Sequence, residues 1–138
     1  LLGDKGFILS NIKQNLGNWG ENAVSRIFTS FGYATECRNY RQCDGEIDLI
    51  CRDRNELVFI EVKTRKTRAF GSGEESITEQ KELRLAAVAS RYLQDRDLMS
   101  WPYRIDLVVL EECAPGFFHL RHHRGAIGDV HENVLDAP

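Results

Sequence analysis

No stretch of this 138-residue chain approaches the run of about 20 apolar residues that spans a bilayer, so no membrane partner is expected. Nor is there a CxxC pair. Cys37, Cys43, Cys51 and Cys113 stand apart in the sequence. They read as free thiols in a reducing cytoplasm rather than as a disulfide framework. A zinc site would have to rest on Cys43 and Cys51, which is a poor match to ligand spacing. The stretch LLGDKGFILS lacks the basic start and small-residue cleavage site of a signal peptide, and the expected location is cytoplasmic. Repeats, low-complexity tracts and long linkers are absent, so one domain is expected. An excess of positive charge is absent too. Eighteen Lys and Arg face 21 Asp and Glu, for a net charge of −3. That argues against a surface that coats nucleic acid indiscriminately.

Local patterning then supplies the elements. Asn18 with Glu21 has the form of a capping box, followed by Ala23, Val24, Ile27, Phe28 and Phe31 at helical spacing and by Gly32 as a terminator. Residues 33–40 form a weak strand candidate. Residues 45–52 and 56–64 are stronger, and the polar RDRNE between them predicts an antiparallel hairpin. AFGSGEE (69–75) is a glycine-punctuated loop. Ser76 with Glu79 predicts a helix of about twenty residues to near Arg96, with Ile77, Leu85, Val88, Ala89 and Tyr92 as its apolar stripe. RIDLVVLE (104–111) and FFHLRHH (117–123) complete the pattern as strands. The expected fold class is α/β, ordered helix, three strands, helix, strand, strand, with helices packed on a mixed sheet.

Charge inside a buried strand marks the candidate site. In FIEVK (59–63), alternation sends Val58, Ile60 and Val62 to one face and Phe59, Glu61, Lys63 and Arg65 to the other. On the preceding strand, Ile47 and Leu49 are expected to share a face opposite Glu46, Asp48 and Ile50. Pairing of the two strands brings Asp48 beside Glu61 and Lys63. Burying such charges unpartnered costs several kcal/mol each. A cation is therefore implied, and Mg²⁺ suits one or two carboxylates completed by water and phosphate oxygens. Glu21 falls on the apolar stripe of the first helix, about 20° from Phe28 around its axis. Lys81 lies four residues from both Ile77 and Leu85, on the packed face of the second helix. Two readings stand side by side: a metal–phosphate site, or a capping glutamate, a structural Asp48–Lys63 ion pair and a snorkelling Lys81. KTRKTR (63–68) supplies four basic residues in six and can form a local anion-binding patch on an acidic molecule, or a solvated face. Asp106 reads as an ion-pair partner of Arg104, and HLRHH as an edge strand rather than a metal cluster.

These blocks together resemble a known family. GNWGENAV (17–24), GEIDLI (45–50), LVFIEVKTR (57–65), the helix carrying Gln80 and Lys81, and RIDLVVL (104–110) are similar to the YraN-like bacterial proteins. That family resembles the restriction-endonuclease-like PD-(D/E)xK nucleases and the archaeal Holliday junction resolvases. The resemblance implies a nuclease-like domain over residues 17–127, between an arm (1–16) and a tail (128–138). It implies Mg²⁺ or Mn²⁺ on Asp48 and Glu61, with Glu21 and Lys63 completing a catalytic set. The implied activity is phosphodiester hydrolysis on structured or branched DNA, by a chain that can pair as a homodimer. Arg65, Lys66, Arg68 and Lys81 are the expected nucleic-acid contacts. The alternative is a nucleic-acid-binding module that keeps this fold without turnover. The usual proline before the aspartate is replaced by Ile47.

Overall fold

The hairpin at residues 45–65 organises the molecule. In the computed structural model, which describes residues 2–66 and 71–128 (with backbone alone for 2–14), β2 (Gly45–Asp53) and β3 (Glu56–Arg65) pair antiparallel. β1 (Ala34–Gln42) adds antiparallel to β2. After β3 the chain makes a 3-10 turn at Glu74–Ser76 and the helix α2 (Glu79–Asp95), then returns as β4 (Tyr103–Ala114), parallel to β3. A parallel neighbour requires such a crossover. β5 (Phe117–Ile127) closes the far edge antiparallel to β4. The five strands lie in sequence order as one mixed sheet.

The sheet has a helix on each face. Val24 and Phe28 of α1 (Leu2–Ser30) pack with Leu49, Cys51, Val58, Ile60, Val62, Val108 and Leu110. Leu85, Val88, Ala89, Tyr92 and Leu93 of α2 pack with Ile47, Ile50, Leu57, Phe59 and Ile105 on the opposite face. Strands buried on both faces read as near-continuous apolar runs, as residues 105–110 do.

Both helix starts differ from the expectation. α1 runs through Asn18 instead of beginning there. Its end is as read. Gly32, at φ 96°, donates to Thr29, Tyr33 donates to Phe28, and the Phe28 and Tyr33 rings meet at 4.9 Å. Phe31 falls past that end and is exposed. On α2 the cap is Thr78, whose hydroxyl accepts from the Lys81 N–H at 3.1 Å, while Ser76 belongs to the preceding 3-10 turn and Ile77 precedes the helix. Two polar residues near a helix start can each satisfy the capping pattern, and the chain uses the later one. The tail residues 129–138 lie outside the described residues, and among those described no helix is long and apolar enough to cross a membrane.

Candidate active site

The β2–β3 ladder stops one step short of the acidic pair. Its last partners are Leu49 and Ile60; the next step would set Asp48 against Glu61. There the strands part, and the Asp48 carboxylate takes the place of a strand carbonyl, Oδ2 accepting from the Val62 N–H at 2.8 Å. A side chain held this way lies in the gap between the strands, where Glu21 and Glu61 both reach it.

A kink in the neighbouring strand goes with this gap. Asn39, between the Arg38–Leu49 and Tyr40–Ile47 pairs, adopts φ 51°. That left-handed conformation is one that asparagine tolerates better than most residues. Alternation slips here on both strands. Cys37 and Tyr40 pack toward α2, and so do Ile47 and Ile50, while Leu49 packs toward α1. The expectation that Ile47 and Leu49 share a face is therefore corrected: a regular period of two does not survive the kink opposite Asp48. With its amide nitrogen turned toward the acids, Asn39 donates to Glu21 at 3.1 Å and to Glu46 at 2.9 Å. Sequence reasoning missed this residue. An asparagine inside a strand pattern, opposite the key aspartate, is the signal that marks it.

The other groups converge from both sides. Glu21 comes from α1 and lies within hydrogen-bonding reach of Asp48. Glu61, 4% exposed, comes from the α2 face and also reaches Asp48. Its Oε1 is met by Lys63 Nζ at 3.2 Å and by Lys81 Nζ at 3.4 Å. Gly73 seats the loop before α2 against Lys63, since a Cβ there would lie 3.2 Å from the Lys63 Cβ and 2.7 Å from Val109 Cγ1. The next residue, Glu74, is pinned to β5 by Arg121 at 2.7 Å, so this loop rests on the sheet beside the site. Arg65 is half-buried and Lys66 exposed at the end of β3, away from the acids; Arg68 lies outside the described residues.

Two of the carboxyls in this gap, Asp48 and Glu21, hold their protons more tightly than usual. Burial and then the Glu61 charge push the Asp48 carboxyl up to about 8, against the pull of the Val62 N–H. Burial, followed by the Glu46 charge, raises Glu21 above the ordinary glutamate value, although Arg38 and Asp48 oppose the rise. Such a gap favours a cation. Among the described residues no group of three or more Asp, Glu, His or Cys side chains is placed to hold a metal ion, so a cation here would rest on Asp48 and Glu61. Both lysines engage Glu61 through Oε1 and Val62 engages Asp48 through Oδ2, while Asp48 also meets Glu21 and Glu61, so a bound ion would replace these carboxyl–carboxyl contacts. Two adjacent carboxylates suit Mg²⁺ or Mn²⁺, which complete their shells with water and phosphate oxygens, better than a metal demanding a complete protein shell.

The histidines lie elsewhere. His122 Nε2 is 2.7 Å from Asp106 and His123 Nε2 3.2 Å from Glu74. Arg104 Nε contacts both Asp106 oxygens, at 3.1 and 3.2 Å, as the ion-pair reading expects. The four cysteines are free.

A protein-family model described as Uncharacterised protein family UPF0102 matches residues 20–110, which include every residue of the acidic gap. The chain belongs to this family. Among its relatives, a UPF0102 protein of Desulfosudis oleivorans is 40% identical over 101 residues, covering 73% of this chain and 82% of the relative. One from Beutenbergia cavernae is 39% identical over 113 residues, covering 82% and 96%. A third, from Roseiflexus castenholzii, is 42% identical over 99 residues, covering 71% and 80%. The expected YraN-like resemblance thus corresponds to a family shared across nearly the full length of those relatives.

Proposed function

We propose that the chain is a metal-dependent nuclease of the PD-(D/E)xK kind, hydrolysing phosphodiester bonds in structured or branched DNA. The observation that carries the reading is the parting of β2 and β3 at Asp48 and Glu61, with Lys63 and Lys81 beside the same carboxylate. Asp48 and Glu61 would hold the ion. Mg²⁺ or Mn²⁺ bound there would lower the pKa of a bound water and polarise the scissile phosphate. Lys63, released from Glu61 by an incoming phosphate, donates to the developing charge on a non-bridging oxygen. Lys81 follows the same logic from α2 and orients the phosphate. Asn39 holds Glu21 and Glu46, and Glu21 in turn meets Asp48 from the α1 side. Arg65 and Lys66 bind backbone phosphates without reading sequence.

One feature favours the alternative, a binding module without turnover. Two ammonium groups already neutralise Glu61, so the cluster can stand as an ion-pair network alone. Cleavage of linear, nicked and four-way DNA, and of RNA, with Mg²⁺ or Mn²⁺ separates the two. The nuclease reading expects metal-dependent cutting of DNA that falls at least about 100-fold in a folded Glu61→Gln variant. Equal cutting by that variant removes the site assignment. Junction binding with no cutting in either metal establishes the binding module instead.

A further inference from the structure

An aromatic groove lies on the α1 side of the sheet where Lys66 follows the end of β3, and its rings have no part in the catalytic scheme. Trp19, 46% exposed, stacks at 4.6 Å from Phe118 with the rings tilted by 45°. Asn15, Leu16, Lys66 and Gly116 complete the lining of a groove of about 550 Å³. Phe117, next to it on β5, is 71% exposed. A large indole left nearly half in water beside a second aromatic ring and the exposed Lys66 is unusual for a solvated surface.

The groove and the gap share one junction. Gly20 lies against Thr64, so α1 rides directly on β3 there. Glu21 follows Gly20 into the acidic gap, and Trp19 precedes it into the groove. On β3, Glu61 lies on one side of Thr64 and Lys66 on the other. Five strand steps separate Glu61 from Lys66, roughly 17 Å, or about five nucleotides at the stacked spacing of a single strand. An aromatic face takes any base, and a lysine beside it takes the neighbouring phosphate.

We propose that the Trp19–Phe118 groove is a stacking subsite for an unpaired base of the nucleic-acid strand whose backbone runs to Asp48 and Glu61. This rests on the nuclease reading and deepens it: the preferred substrate carries a single-stranded segment, such as a flap, gap or frayed end. The base stacks on Trp19, the adjoining phosphate meets Lys66, and a fully paired duplex cannot offer the base without melting.

The test measures binding apart from cutting. In the full chain carrying Trp101→Phe, Trp19 is the remaining tryptophan. Its fluorescence is followed in chelator while oligothymidine, an abasic oligonucleotide of equal length, or blunt duplex is added. Oligothymidine is expected to quench Trp19, and the abasic strand, with the same phosphates, to bind at least about fivefold more weakly without quenching. Trp19→Ala is expected to weaken oligothymidine binding at least about fivefold, while Trp19→Phe keeps most of it. Lys66→Ala is expected to reduce the salt slope of binding by about one phosphate contact. Equal affinity for abasic and base-bearing strands, or no quenching at saturation, overturns the proposal. So does a concentration-dependent dimer that Trp19→Ala abolishes, for the groove then receives a second copy of the chain. Metal-dependent cleavage that persists without quenching defeats the subsite alone. Quenching without any cleavage defeats the catalytic reading alone.

Discussion

Asp48 occupies a position where a strand would normally present a carbonyl, and burial there beside the Glu61 charge raises its proton affinity despite the Val62 N–H. An aspartate in an unfolded chain titrates near 3.9; in the fold its pKa is about 8. Between those values the native state holds a proton that the unfolded state has released. Stability from this group is therefore full below about pH 4 and declines as pH rises toward 8. Asp48→Asn removes the decline. In chelator the variant is expected to melt above wild type at pH 8, and the two are expected to converge near pH 4. Thermal melts across that range check it, and equal melting at pH 8 would mean that ionising Asp48 costs nothing. The same variant is expected to lose cleavage, since it surrenders one of the two proposed metal ligands. The acids and lysines of this site are legible in the sequence because charge interrupts an apolar strand, and an interruption with period two reveals its face. Asn39 is not legible that way. Its role depends on a left-handed backbone turn in β1, and an asparagine carries no apolar periodicity for that turn to disturb.

At the level of elements, the contact of α1 with β3 has the least slack. A Cβ on Gly20 would collide with Thr64 Oγ1, a buried hydroxyl that finds no hydrogen-bond partner among the described residues. Gly20→Ala is expected to destabilise the fold by about 1–3 kcal/mol, as overpacking does. Thr64→Ala removes both the colliding atom and an unsatisfied hydroxyl, so the double variant is expected to recover most of the loss. Urea midpoints of the two single variants and the double variant give the coupling; strict additivity would show that the helix moves away and the contact is loose. Element boundaries were legible unevenly. The β2–β3 hairpin and the Gly32 terminator depend on neighbours in sequence, and their residues announce them. The start of α1 does not, because the helix extends through the residues that mimic a cap. Ser76 misled for a related reason. It closes a 3-10 turn whose hydrogen bonds to Gly73 resemble those of a helix start, while Thr78 makes the actual cap.

Across the whole molecule, the mixed sheet was legible, but the order of its strands was not, because the runs at 57–62 and 105–110, each apolar but for one acid, carry no signal of which strand each one pairs with. Asp106, with no exposed surface, holds that arrangement together from β4, where it is in register with Ile60 of β3. It accepts from the Gly125 N–H at 2.8 Å and meets Arg104 and His122; Arg104 also reaches Glu56 at 2.7 Å on the hairpin and the Tyr33 hydroxyl at 2.8 Å beyond α1. One buried carboxylate thus ties β4 to β5 directly, and through Arg104 to the hairpin and the α1–β1 corner. Burial works to raise the Asp106 carboxyl, but His122, the Gly125 N–H and Arg104 outweigh it and hold it below the ordinary aspartate value. Its contribution is therefore full above about pH 4 and disappears as pH falls through the lowered native value. This is the opposite sense to Asp48, and the metal-free protein is expected to be most stable between the two, near pH 4–6. Asp106→Asn keeps the shape and the Gly125 contact but leaves the Arg104 charge without its buried partner, an expected loss of about 3–5 kcal/mol at pH 7. Denaturant melts of wild type and Asp106→Asn from pH 2.5 to 7 check both parts. The wild-type curve should drop steeply below pH 4, and the variant, already weakened, should lose much of that drop. A variant curve running parallel to wild type down to pH 2.5 would assign the acid transition to other carboxylates.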